Sequence, residues 1–242
     1  MRAYALRMPS APDRARDAVR ADSDFAALPS LPRRASTAEA VAAVLRGQIS
    51  EGRILPGAQL REEHLAAALE VSRNTVREAF RLLAHERLVE HALHRGVFVR
   101  TVGADGIRAM YRTRRLVEPL GLRAKATPPL AATLRAIVTR GQAAADEGDW
   151  EAVGTADIDF HRALVSAAES IHLSSMFEGL LAELRLAFLQ LPDRQALHEP
   201  FLARNARLLD LLEAGDLDAA LAELDDYLTA AETQLLAAQA PV

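Results

Sequence analysis

The 242-residue chain contains no cysteine. That excludes disulfides, thiolate nucleophiles and cysteine-ligated metals, and it suits a reducing compartment. No apolar run approaches the ~18 residues a membrane span needs. The N-terminal MRAYALRMPSAPDRARDAVR carries arginines but lacks the apolar stretch of a secretory signal. The expectation is a cytoplasmic protein with no membrane partner. Lysine is nearly absent, Lys125 being the only one among 29 basic residues. Such a bias fits a GC-rich coding sequence, so an arginine here is informative by its position and not by its type. There is also no nucleophile motif, no glycine-rich phosphate loop and no second acid cluster, so an enzyme is not expected.

Charge is distributed unevenly. The net charge is −4, yet residues 36–102 hold nine Arg against eight acids, while residues 107–242 hold thirteen basic residues against twenty acids. Two parts with different partners are implied. Residues 1–35, with Pro9, Pro12, Pro29 and Pro32 and no sustained period, read as a flexible tail. From Ser36 to Val102 the pattern predicts three helices and a hairpin. STAEAVAAVLRGQISEG places Val41, Val44, Leu45 and Ile49 at helical spacing behind a Ser36 or Thr37 cap. REEHLAAALE gives a second helix and VSRNTVREAFRLL a third, capped by Ser72. Leu88–His91 and Gly96–Arg100 form the two extended stretches. Residues 103–242 read as an antiparallel helical bundle, with helices near 104–124, 129–146, 150–168, 173–190, 199–213 and 216–238. The last of these is expected to bury Leu217, Leu221, Leu224, Leu228, Ala231 and Leu235. The fold class is therefore mostly α: a winged helix-turn-helix joined to an all-helical domain.

The third helix carries the first functional signal. Arg73, Arg77 and Arg81 recur every fourth residue, opposite Val76, Phe80 and Leu83. An Arg-x-x-x-Arg helix alone is usually a solvated face, paired here with Glu78. A helix at turn distance before it and an Arg95-Gly96 hairpin after it complete the layout in which the third helix enters the major groove of DNA. Arg73 and Arg77 lie one turn apart, Asn74 and Thr75 occupy the first turn, and Arg95 with Gly96 forms the hairpin tip. In the bundle, Asp157 and His161 stand four residues apart on one helix. That spacing suits either a chelating pair for a divalent metal or a local ion pair.

Residues 40–99 resemble the DNA-binding domain of the GntR family of bacterial transcription regulators. The resemblance rests on Ile49, Gly52, Pro56 and Gly57, on the V-S-R-x-x-V-R-E-A block and on Arg95-Gly96-x-Phe98-Val99. It implies DNA contacts from Arg73, Thr75 and Arg77 and a wing tip at Arg95 and Gly96. Glu70 stands where the family usually has Gly, and Glu63 where some relatives carry a DNA-facing Arg. Residues 107–238 are similar to the all-helical effector domain of the FadR-type branch. The similarity rests on Tyr111, Arg114-x-x-x-Glu118, Asp157-x-x-Phe160-His161 and Gly215-Asp216. Many members of that branch hold a divalent metal, such as zinc, nickel or manganese, with one Asp and three His, and the metal helps anchor a small carboxylate effector. Asp157 and His161 fill the first two positions, whereas Asn205 and Tyr227 stand at the other two. Two alternatives follow. Either Asp157 and His161, with the Asn205 carbonyl, keep a metal, or Asp157, His161, Asn205 and Tyr227 bind the effector directly, with Arg114 supplying the charge for a carboxylate. The resemblance implies a homodimer on double-stranded operator DNA and a repressor released by a small metabolite. The alternative is a constitutive DNA-binding protein whose bundle only dimerises.

Overall fold

The structure is a computed structural model that describes residues 36–124 and 128–239. The segment read as a flexible tail lies outside the described residues. The described part opens with α1 (Thr37–Ser50), started by a reciprocal cap: Ser36 Oγ accepts from the Glu39 amide and the Glu39 carboxylate accepts from the Ser36 amide. Next come β1 (Gln59–Leu60), α2 (Glu62–Ala68), α3 (Arg73–His85), β2 (Val89–Ala92) and β3 (Gly96–Val99). The three strands pair antiparallel in the order β1-β3-β2, with Leu60 opposite Val97 and Val89 opposite Val99. Only the β2–β3 hairpin was predictable. β1 is two residues long, too short to show alternation, and it exists because β3 offers it a free edge. The first hairpin strand also starts at Val89 and not at Leu88, whose amide instead closes the end of α3 on the Leu83 carbonyl.

The connection between α2 and α3 is tight. Its left-handed residue is Glu70, at φ 53°, where a side chain is disfavoured by roughly 1–2 kcal/mol. Behind this turn, Val76, Ala79, Phe80 and Leu83 of α3 are fully buried with Ala42, Leu45 and Ile49 of α1.

The remainder is helical: α4 (Ala104–Arg123), α5 (Pro128–Asp146), α6 (Trp150–Ser166), α7 (Ile171–Leu189), α8 (Arg194–Glu213) and α9 (Leu217–Ala238). Asp149, Ser170, Asp193 and Asp216 cap α6 to α9 through their side chains. Two expectations are corrected here. α8 begins five residues before the predicted 199, so Pro200 lies inside it. Proline removes the donor that would satisfy the carbonyl four residues back. That carbonyl, on Ala196, instead accepts from Gln234 Nε2 of α9 at 2.5 Å. The buried stripe of α9 also starts later than predicted: Leu217 is exposed and Leu221 half-buried, while Ala220, Leu224, Tyr227, Leu228, Ala231 and Leu235 are buried. α4 and α6 cross at Gly121, where a Cβ would stand 1.8 Å from the Leu164 carbonyl oxygen. Only glycine permits that approach, and it brings Arg114 and Glu118 of α4 up to the face of α6.

The winged module is fixed to the bundle by polar contacts. Gln190 makes two bonds to the Val102 backbone, at 2.6 and 3.0 Å, and Arg185 Nε donates to the Ser50 carbonyl at 2.8 Å. Arg87 pairs with Glu183 at 2.7 Å.

The Glu70→Gly substitution should raise stability by roughly 0.5–1 kcal/mol, because relief of the left-handed strain exceeds the entropy glycine adds to the unfolded chain. Urea denaturation would read this as a higher midpoint at unchanged slope.

Candidate functional site

The reading face of α3 is built by its buried back. With Val76, Ala79, Phe80 and Leu83 inside, the helix must turn Arg73, Asn74 and Arg77 outward. Thr75 is half-buried, its amide bonded to Ser72 Oγ at 3.1 Å and its hydroxyl 2.8 Å from the same atom. Its side chain thus helps cap the helix at the point where DNA contact was expected. Two of the arginines find partners on α2 that their spacing does not reveal. Arg73 pairs with Glu63, and Arg77 Nε donates to Glu62 Oε2 at 2.8 Å, both acids coming from the first turn of α2. Arg81 pairs with Glu78 on its own helix, as expected of a solvated face. At the wing, Gly96 takes φ 101°, a conformation that favours glycine. Gln59 Nε2 donates to the Arg95 carbonyl at 2.8 Å, tying the wing tip to β1, and the Arg95 guanidinium lies 5.4 Å from the Phe98 ring centre. Arg73, Asn74 and Arg77 therefore share one exposed face, with Arg95 and Gly96 on the exposed wing.

The second site lies inside the bundle, where α4, α6, α8 and α9 meet. Arg114 and Glu118 form the expected i,i+4 pair, Nε to Oε1 at 2.6 Å, but both are fully buried. The other Glu118 oxygen lies 2.7 Å from His161 Nδ1. A carboxylate only accepts, so Nδ1 carries the proton. The spacing left open a local Asp157–His161 ion pair; the structure instead bonds His161 to Glu118, leaving its Nε2 3.9 Å from Asp157 Oδ1. Asp157 Oδ1 is taken by Tyr227 OH at 2.5 Å and Asn205 Nδ2 at 2.9 Å. The four residues that sequence placed together are thus brought together, with Arg114 one step away through Glu118.

The electrostatics follow from burial and neighbours. Burial alone would raise the Glu118 carboxyl, but Arg114 and His161 hold it below the ordinary carboxylate range. Asp157 is likewise pushed up by burial and held down by His161, the Tyr227 hydrogen bond, His198 and Asn205. Tyr227 is raised well above the usual phenol range by burial and by Asp157, so it remains a neutral donor. His198 stands at none of the positions that the family resemblance marks. The structure packs its ring against Gly154, where a Cβ would stand 2.5 Å from Nε2. Burial pulls His198 down to about 4, against the opposing charge of Asp157, so it is neutral at neutral pH. No spacing in the sequence could have found it.

Three buried polar atoms lack a partner among the described residues: Arg114 Nη2, His161 Nε2 and Asn205 Oδ1. A small chamber of about 10 Å³, bordered by Tyr111, Arg114, Asp157, His198 and Tyr227, is about the size of one water. On the other side of His198 and Phe201, an open groove of about 310 Å³ runs between α5, α6 and α8.

The donor set does not fit the divalent metal that the resemblance implies. Asp157 Oδ1 is already engaged by two donors, one a phenol that keeps its proton, and an amide oxygen is a weak ligand. Among the described residues no group of three His, Cys, Asp or Glu is placed to hold a metal.

After incubation with zinc, nickel or manganese and desalting, elemental analysis should find well under one equivalent of metal per chain; stoichiometric metal lost in Asp157→Ala would show that Tyr227 and Asn205 rearrange around it. The Glu63→Gln substitution frees Arg73 and should tighten binding to random-sequence duplex DNA roughly two- to fivefold, with a steeper salt dependence in fluorescence anisotropy.

Comparison with known proteins matches these two regions to two families. Residues 37–99 match the model of bacterial regulatory proteins of the gntR family, and residues 109–230 match the FCD domain. The chain is 31% identical over 191 residues to the "probable D-xylose utilization operon transcriptional repressor" of Paenarthrobacter nicotinovorans, covering 76% of this chain and 81% of that one. It is 32% identical over 146 residues to the galactonate operon transcriptional repressor of Escherichia coli K12, covering 52% and 62%. A solved GntR transcriptional regulator from Rhodococcus sp. RHA1 superposes with a TM-score of 0.79 at 41% identity, covering 83% of this chain and 98% of that one. FCD domains of this family can bind metals, a capacity to which the Asp157 donor set here is poorly suited. No helix among the described residues is long and apolar enough to cross a membrane. The chain belongs to the GntR family of bacterial regulatory proteins, carries an FCD effector domain behind its winged helix-turn-helix, and is a transcription regulator and not an enzyme.

Proposed function

We propose that the protein is a cytoplasmic homodimeric repressor that reads a near-palindromic operator with α3 and its wing and releases it when a small metabolite binds the bundle. The observation that carries the reading is α3 itself. Its back is completely buried, and its first turns present Arg73, Asn74 and Arg77 beside an exposed Arg95-Gly96 wing. Arg73 and Arg77 contact bases or phosphates, Asn74 reads a base edge, Thr75 holds the helix start, and Arg95 leaves Phe98 for the minor groove or a phosphate. Residues 36–102 form the reading module and residues 103–242 the effector and dimerisation domain. The repressor names of two relatives support the sign of regulation.

The effector acts at the buried network of Arg114, Asp157, His161, Asn205 and Tyr227, without a metal. A carboxylate effector is supported by the unpartnered Nη2 of Arg114. The chamber beside it has room for about one water, so a carboxylate that reaches Arg114 must displace the His198 wall. A path to the reading module is present in the same helix. α6 carries Asp157 and His161 and, in its first turn, Glu151, whose carboxylate is met by Arg194 at 3.1 Å and Arg185 at 3.5 Å. Arg185 also holds the Ser50 carbonyl at the end of α1.

The test starts from operators selected out of a random duplex pool with the full chain. On the selected operator, Arg77→Ala should cost about 1–3 kcal/mol and relax the preference at one base position, read by anisotropy against single-base variants. Selection of no consensus would refute the reading. Operator affinity unmoved by every candidate metabolite would favour a bundle that only dimerises.

A further inference from the structure

We infer that the open groove between α5, α6 and α8 is a binding site for a small organic ammonium ion. The inference rests on the bundle being a ligand-binding domain, and it concerns the outer side of the His198 wall, not the Arg114 chamber. The groove measures about 310 Å³, within the range of metabolite sites. Its walls are largely apolar, with Ile137, Val138, Phe160, Phe201 and Leu202. Its charged groups are Asp157 and Glu199, and no lysine or arginine lines it. The arginines nearest in sequence are committed elsewhere: Arg140 to Asp159, and Arg204 and Arg207 to Glu223.

Acceptors outnumber donors at the polar end. Both hydrogen bonds that Asp157 receives from Tyr227 and Asn205 end on Oδ1, leaving Oδ2 with none among the described residues. Asn205 spends its amide nitrogen on Asp157 and leaves Oδ1 unpartnered, although the residue is only 8% exposed. Asp157 is therefore a buried carboxylate held by neutral donors, with no cation in hydrogen-bond contact. An ammonium group supplies the missing charge and up to three N–H donors for the Asp157 and Asn205 oxygens, and Glu199 at the rim adds attraction. A carboxylate entering the same groove would meet two carboxylates and no cation. The apolar walls suit a hydrocarbon body behind the charged head.

Isothermal titration of the full chain with benzylamine, benzyl alcohol and benzoate, and with cyclohexylamine and cyclohexanecarboxylate, tests this directly. The amines should bind at least about tenfold more tightly than the alcohol and the acids. Ala203→Trp, at an exposed groove position, should abolish amine binding, and Glu199→Gln should weaken it severalfold; neither change touches the core. No amine binding, a preference for the carboxylates or the alcohol, or amine binding unaffected by Ala203→Trp would each overturn the assignment. The same probes on the selected operator separate the two readings. Amine binding lost in Ala203→Trp with operator affinity unmoved upholds the groove and counts against regulation through it. Operator release by benzoate, with no amine bound, upholds the regulator and overturns the groove.

Discussion

The carboxylate of Glu118 is the constraint on which the bundle depends. It has no exposure, and each of its oxygens is fixed by a different helix: one by Arg114 on α4 and the other by His161 on α6. Removing one member of a buried pair leaves an uncompensated charge and typically costs about 3–5 kcal/mol. The two helices can bring these groups together only because Gly121 lets α4 run against the Leu164 carbonyl. His161 is thereby oriented from behind. Its Nδ1 proton is committed to Glu118, and its free Nε2 faces Asp157 without reaching it. Tyr227 and Asn205 can then close on Asp157 as donors.

This arrangement gives the site two ends that share Asp157 and differ in their other charged group. Inside, Arg114 keeps one guanidinium nitrogen unpartnered beside a chamber of single-water size. Outside, Asp157 and Glu199 face a groove with no cation in its lining. His198 separates them. Burial keeps its ring neutral at neutral pH, so it presents one donor and one acceptor. Asn205 and Tyr227, standing at two positions where the family resemblance implies histidine, act here as hydrogen-bond donors to Asp157.

What the sequence made legible was local. Caps at Ser36 and Ser72, the helical spacing of α1 and α3, and the Arg95-Gly96 turn depend on neighbours within a few residues, and all are present. Asp157 and His161 are legible by their spacing on one helix, and Asn205 and Tyr227 only by their positions in a resembling family, though not their bonds. The parts that escaped were set by tertiary contact. β1 has no pattern of its own and takes its form from β3. α8 runs through Pro200 because Gln234, on another helix, satisfies the Ala196 carbonyl. Glu62 and Glu63 lie in the first turn of α2, and only the packing of α2 on α3 makes them the partners of the reading arginines. His198 lies seven residues from Asn205 on α8, and only the Gly154 approach shows that it walls the site.

The same helix that bears the site also bears the connection to the reading module, and this sets what a ligand must do. Glu151 opens α6 and Asp157 and His161 sit in its middle, so any shift of the helix moves both together. Arg185 is mostly buried and bonds at once to Ser50 of α1 and to Glu151, with longer and hence softer bonds to the latter, at 3.5 Å against 2.8 Å. A displacement of α6 is therefore absorbed at Glu151 before it strains Ser50, unless Arg194, at 3.1 Å from the same carboxylate, stops Glu151 from following. Arg194 also lies close to Gly52 just after α1, so both arginines that meet Glu151 reach the same turn of the reading module. In the proposed regulation, a ligand would shift operator affinity only by the difference in its affinity for two placements of α6, and a tenfold effect needs about 1.4 kcal/mol of such preference. One charge-assisted hydrogen bond, made in one placement and lost in the other, is of that size.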